Sequence, residues 1–86
     1  MRRAAKRDEN ERVLINTAMK LGWLFWKLDT PVDWLGLFRG HWYPIEIKGP
    51  RGRLTWIQRH IATAALDQKA PFIIWRTLED VERSSK

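Results

Sequence analysis

Apolar positions follow two different periods along this chain, and the switches between them mark its elements. From Asp8 to about Leu21, Leu14, Ala18 and Leu21 recur at helical spacing. Asp8 with Glu11 three residues on has capping-box spacing, which sets the predicted start. Gly22 stands where the helix should stop, because glycine accepts the left-handed conformation. Trp23 to Leu28 then reads as a strand, broken by Asp29-Thr30-Pro31. Val32 to Phe38 is a second strand, Arg39-Gly40 a turn, and Trp42 to Lys48 a third strand. Pro44 suggests an edge or a bulge there.

Gly49-Pro50-Arg51-Gly52-Arg53 admits only a loop. Thr55 caps a second helix running to about Lys69, with Gln58 at capping-box spacing. Ile57, Ile61, Ala64 and Ala65 form its expected buried face. Ala70-Pro71 ends it, and Phe72 to Trp75 is a short buried strand. The tail from Thr77 to Lys86 is expected to hold one helical turn before it frays. The order helix, three strands, helix, strand predicts an α/β fold with a mixed sheet. The second helix can cross over from the third strand to a parallel fourth.

Length narrows the picture. The 86 residues make one domain at most. It is expected over residues 8–86, with 1–7 as a basic N-terminal arm. So short a chain buries only about 60% of the surface its unfolded form exposes, and self-association is a common remedy. Six tryptophans are many for this length, and some must fill the core. The absence of cysteine excludes a disulfide scaffold and a thiolate zinc site. No apolar run approaches the ~20 residues of a membrane span. The basic start leads into no apolar stretch of the signal-peptide kind. A cytoplasmic protein of a bacterial or phage-infected cell is therefore expected.

Charge adds a partner class. The formal charge is +6, which attracts polyanions. One basic group is Arg2, Arg3, Lys6, Arg7 and Arg12; another is Lys48, Arg51, Arg53 and Arg59. A solvated basic surface is the bland explanation, but the clustering around a glycine-containing loop favours nucleic acid.

The candidate chemistry comes from the hairpin. If Arg39-Gly40 is a two-residue loop, Phe38 pairs with His41, and counting outward sets Asp33 opposite Glu46. Their Cβ atoms would lie about 4.5–5.5 Å apart on one face. Lys48, two residues past Glu46, falls on the same face. Facing carboxylates repel, and a hard divalent cation compensates, since Mg²⁺ favours one or two carboxylates with phosphate and water. Metal, carboxylates and lysine together suit phosphodiester hydrolysis. The bland alternative is a surface salt bridge between Glu46 and Lys48, with Asp33 merely starting a strand. His41 and His60 form no metal pair.

At these residues the chain resembles the PD-(D/E)XK nuclease superfamily, especially its VRR-NUC and archaeal Holliday-junction-resolvase branches. The likeness runs from Glu11 to about Trp75. It is carried by Glu11, by Gly22-Trp23, by Pro31-Val32-Asp33, by Glu46-Ile47-Lys48, and by Gly52-Arg53-Leu54-Thr55 leading to Gln58. Val32 separates Pro31 from Asp33, where the motif usually has Pro and Asp adjacent. The resemblance implies a restriction-endonuclease-like core, αβββαβ, with a central four-stranded mixed sheet flanked by helices. It implies a Mg²⁺-dependent endonuclease, with Mn²⁺ as substitute, cutting DNA that is branched or carries flaps. Asp33, Glu46 and the Ile47 backbone carbonyl would hold the metal, and Glu11 would reach it directly or through water. Lys48 would be the catalytic lysine, and Gln58 would steady it or contact the scissile phosphate.

Arg51, Arg53, Arg59 and Arg7 are the expected DNA contacts. Trp56 could stack on an unpaired base, though packing is the commoner fate of a helix tryptophan. Trp34 and Trp42 could lie in the sheet or at the interface of a homodimer. No membrane and no organic cofactor are expected. The alternative to an enzyme is a non-catalytic nucleic-acid-binding module on the same fold.

Overall fold

The computed structural model describes residues 2–86, and side chains from Glu9 onward. The elements in order are α1 (Arg2–Lys20), β1 (Leu24–Lys27), β2 (Trp34–Phe38), β3 (His41–Ile47), α2 (Trp56–Asp67), β4 (Ile73–Trp75) and α3 (Leu78–Ser84). The four strands form one mixed sheet in the order β1-β2-β3-β4. The first two pairings are antiparallel, and β3 pairs with β4 in parallel after the α2 crossover. The expected α/β class and mixed sheet are therefore present. Among the described residues no helix is long and apolar enough to cross a membrane.

The hairpin register matches the sequence expectation. Phe38 pairs with His41 and Trp34 with Ile45. Arg39 and Gly40 both have positive φ, 52° and 82°, as the I′ turn of a tight hairpin requires. Pro44 lies in a central strand rather than an edge, and the reason it fits is local. The Ile47 N–H points to the β2 side and the Lys48 N–H to Trp75 of β4. By alternation, position 44 would donate toward β4, but β4 begins only opposite Ile45. No ladder bond is lost.

Three helix expectations need correction. Helix α1 begins at Arg2 rather than Asp8, so Asp8 is interior and no cap. Arg2 to Arg7 contains only good helix formers, and nothing there stops propagation toward the N-terminus. The expected N-terminal arm is thus continuous with the first helix. Leu21 is exposed, and Ile15 joins Leu14 and Ala18 in the core instead. Helix α2 does carry the Thr55–Gln58 capping box, and it ends with Lys69 in the left-handed region and an Ala70 N–H bond to the Ala65 carbonyl. Yet none of its residues is buried. Of the expected buried face, Ile57 and Ala64 are exposed and Ile61 and Ala65 only half-buried, so the small chain covers that stripe in part.

The tail does not fray. Thr77 and Asp80 make a second capping box, starting α3. Val81 is fully buried. The core groups Leu14, Ile15 and Ala18 of α1 with Phe38, Ile45, Ile47, Trp75 and Val81 around Trp23. Trp23 stacks on Phe38 at 4.5 Å and meets Trp75 edge-on at 5.0 Å. Both indole N–H groups are satisfied at the C-terminal end of α3: Trp23 donates to Oγ of its C-cap Ser85 at 2.8 Å and Trp75 to Ser84 Oγ at 3.0 Å. An indole N–H buried without a partner would cost on the order of 1–3 kcal/mol, so these serines tie the C-terminus to the core. Gly36 lets Trp23 lie against the sheet, since a Cβ there would sit 2.7 Å from Ile45 Cδ1 and 3.1 Å from the Trp23 ring.

Candidate active site

The site is built at one end of the β2–β3 hairpin. Trp34 and Ile45 are the outermost pair of that ladder, so Asp33, one residue outward, lies in line with Glu46. The Asp33 side chain continues the ladder itself, with Oδ2 accepting the Ile47 N–H at 3.0 Å. Within a strand residue, N–H and C=O point to the same side, so the Ile47 carbonyl also faces the Asp33 edge. Alternation puts Ile45 and Ile47 into the core and Glu46 and Lys48 on the opposite side. Lys48 Nζ stands 4.0 Å from Glu46 Oε1. Asp33 is buried and Glu46 is 0% exposed. Two acidic groups taken out of water at one sheet end need compensation by positive charge, and Lys48 supplies part of it.

Glu11 is engaged by neighbouring side chains. It is buried on α1, and its Oε2 accepts from Lys27 Nζ at 2.8 Å and from the Trp34 indole N–H. Lys27 also lies 4.8 Å over the Trp34 ring. Burial pulls the Lys27 ammonium down, but the hydrogen bond and charge of Glu11, with Asp33 and Asp29 nearby, outweigh it and raise its pKa above 10.5. Glu11 thus joins α1 to β1 and β2. Among the described residues no three His, Cys, Asp or Glu side chains gather closely enough to hold a metal ion. Of the expected set of Glu11, Asp33 and Glu46, the hairpin brings Asp33 and Glu46 into line, while Glu11 is engaged by Lys27 and Trp34.

Gln58 is held in its capping box, with Oε1 accepting the Thr55 N–H at 2.8 Å. The cap occupies Oε1 and leaves the amide NH2 group outside that bond. Arg51 and Arg53 are exposed on the loop after Lys48, and Arg59 is exposed on α2. The Arg7 side chain lies outside the described residues. Trp56, expected to pack, is 77% exposed beside that loop, because α2 has no covered face at its start. His41 and His60 are both exposed on separate elements, β3 and α2.

Three participants escaped the sequence reading. Arg76 donates from Nη1 to the Gly49 carbonyl at 2.9 Å and the Gly52 carbonyl at 2.5 Å, which clamps the loop carrying Arg51 and Arg53. Asn10 makes a long contact from Nδ2 to the Lys48 carbonyl, 3.4 Å. Lys27 is the third. None belongs to a local motif, so only the packing together of α1, β1 and the end of β4 reveals them. Comparison with protein-family profiles, with curated protein sequences and with solved structures finds no match to this chain.

Proposed function

We propose that this chain is a divalent-metal-dependent endonuclease that hydrolyses DNA phosphodiester bonds on a restriction-endonuclease-like αβββαβ core. The observation that carries this reading is the alignment of Asp33 with Glu46 across the hairpin, with Lys48 Nζ 4.0 Å from Glu46 Oε1. The donor set is hard oxygen throughout: two carboxylates and the Ile47 carbonyl. That is the chemistry Mg²⁺ or Mn²⁺ takes, with water and phosphate completing the shell. When bound, the cation supplies Lewis acidity at the phosphoryl group.

The remaining roles belong to the chain. The Ile47 N–H fixes the Asp33 carboxylate. Lys48 orients the attacking water or stabilises charge at phosphorus, a contribution worth about 10²–10³ in rate for a preorganised donor. Arg51 and Arg53, on a loop clamped by Arg76, hold flanking phosphates without reading sequence. The exposed Trp56 beside them offers a stacking surface for an unpaired base, which favours branched or flapped substrates.

The test is cleavage of duplex, single-stranded, flap and four-way DNA with Mg²⁺ or Mn²⁺. Wild type should cut at least one form, while Glu46→Ala and Lys48→Ala, folded by circular dichroism, should lose about 10² or more of the rate. No cleavage of any form by folded wild type refutes the enzyme. A second reading, a non-catalytic nucleic-acid-binding module, draws support from the engagement of Glu11 by Lys27 and Trp34. DNA binding without cleavage is the outcome it requires.

A further inference from the structure

The sheet face turned away from the core carries an aromatic array that runs into the acidic row of the candidate site. Register sets Leu24, Leu37 and Trp42 side by side across three strands, and Trp26, Leu35 and Pro44 in the next row. One row further along the same face lie Asp33 and Glu46. The alternate positions, Phe25, Phe38, Tyr43 and Ile45, lie in the core or pack against it. With two residues to a row, neighbouring rows stand about 7 Å apart. Trp26 is therefore one row from the acidic pair, and Trp42 two. The two indole rings lie 5.7 Å apart at 49° to each other, meeting over β2. Trp26 is 48% exposed and Trp42 53%, so each keeps part of its ring open to solvent.

We infer that this face seats the bases of an unpaired DNA strand and leads that strand to Asp33, Glu46 and Lys48. Chemistry selects the occupant. None of the six positions in the two apolar rows is charged, although the chain is 30% Asp, Glu, Lys and Arg. A duplex turns its phosphates outward and its bases inward, so it gains nothing from a neutral aromatic surface. An unpaired strand exposes its bases, and stacking on an aromatic ring tolerates any sequence because every base has a π-face. The phosphates of that strand meet cations beyond the two rows, at Lys48 and at the exposed Arg51 and Arg53. Rings for the bases and cations for the backbone are the two parts of a sequence-tolerant single-strand site. A polypeptide laid over the array fits less well, because it would close off the acidic row one step away.

Spacing agrees with chemistry. An extended single strand advances by one nucleotide in a distance comparable to one row of the sheet, about 7 Å. Bases on Trp26 and Trp42 then lie about one and two nucleotides from the scissile phosphate. Substrates with an unpaired arm, flaps above all, are thereby preferred to fully paired duplex and four-way DNA. The strand's route to the scissile phosphate rests on the nuclease reading, whereas the stacking itself does not.

A fluorescein-labelled oligonucleotide substituted with 5-iodouracil tests the face, in the full chain and without divalent cation, so that no cutting intervenes. Ultraviolet irradiation of the wild-type complex should attach the iodouracil to Trp26 or Trp42, located by mass spectrometry of the peptides. By fluorescence anisotropy, an abasic strand with the same phosphates should bind wild type about tenfold more weakly than the intact strand. Trp26→Ala and Trp42→Ala, with native far-UV circular dichroism, should each lose about tenfold for the single strand and less than twofold for duplex. The cross-link and the abasic strand use wild type alone, so they decide the matter even if a variant fails to fold. An attachment that misses both rings, such as one at Trp56 only, overturns the proposal. So does an abasic strand bound as tightly as the intact one, or folded variants that lose nothing, and the face then belongs to a polypeptide partner. Cleavage is scored separately. A wild type that cross-links at these rings but never cuts refutes the nuclease and keeps the platform; one that cuts without cross-linking there does the reverse.

Discussion

Lys27 donates to Glu11 across 2.8 Å, joining the outer strand of the sheet to the first helix, and Trp34 donates to the same carboxylate oxygen. A carboxylate so engaged is an anchor. Glu11→Gln should therefore change Mn²⁺ affinity, measured by calorimetry, by less than about twofold. Asp33→Asn and Glu46→Gln should weaken it by about tenfold or more, on the scale of 1.4 kcal/mol per decade. Glu11→Ala should cost stability instead, about 1.5–3 kcal/mol in urea unfolding, because it removes a charged hydrogen-bond partner from a buried position. A loss of Mn²⁺ binding in Glu11→Gln equal to that in Glu46→Gln would return Glu11 to the metal.

Arg51 and Arg53 should contribute to DNA affinity through phosphates alone. Each replaced by alanine should lower the slope of log affinity against log salt by about 1. The loss should be the same on DNA of any sequence. Arg76→Ala should weaken binding as well although it need touch no DNA, because Gly49 and Gly52 lose their clamp. Filter binding across a salt series measures all three. An unchanged slope in the double Arg51→Ala, Arg53→Ala variant would remove the loop from the interface.

Asp80 makes the stability of α3 dependent on acid. The Arg76 N–H, donating to Oδ2 at 2.8 Å, is the main force holding its carboxyl below the ordinary value of 3.8; burial opposes this, and Thr77 and Arg83 add to it. A folded-state pKa below the unfolded one means stability is present above the unfolded value and is lost as pH falls through the folded one. Unfolding free energy should therefore decline below about pH 4. Asp80→Asn should flatten that part of the profile, and Asp80→Ala should cost about 1 kcal/mol at neutral pH, the usual scale for a lost cap. Urea titrations at several pH values test both.

Gly36→Ala should destabilise by about 1–3 kcal/mol through overpacking. The new Cβ would lie 2.7 Å from Ile45 Cδ1, so Ile45→Val, which removes that atom, should recover part of the loss. A double variant no more stable than Gly36→Ala alone would point to the buried Trp23 ring, 3.1 Å away, as the harder obstacle.

Much of the chain's local structure was already determined by its sequence. A two-residue turn and alternating side chains set the register from Phe38 and His41 out to Asp33 and Glu46, because hairpin pairing is decided over neighbouring residues. The capping box of Thr55 and Gln58 was equally local, and the same pattern at Thr77 and Asp80 announces α3. Tertiary structure alone decided which apolar residues are covered and which charged ones meet. Trp23 and Trp75 entered the core, Trp34 turned to Glu11, and Trp26, Trp42 and Trp56 stayed open, although all six are the same side chain. Burial depends on what arrives from distant parts of the chain, as when Ser84 and Ser85 reach the two core indoles. Lys27 reaching Glu11 and Arg76 reaching the Gly49–Gly52 loop are contacts of that kind, and no spacing along the sequence encodes them.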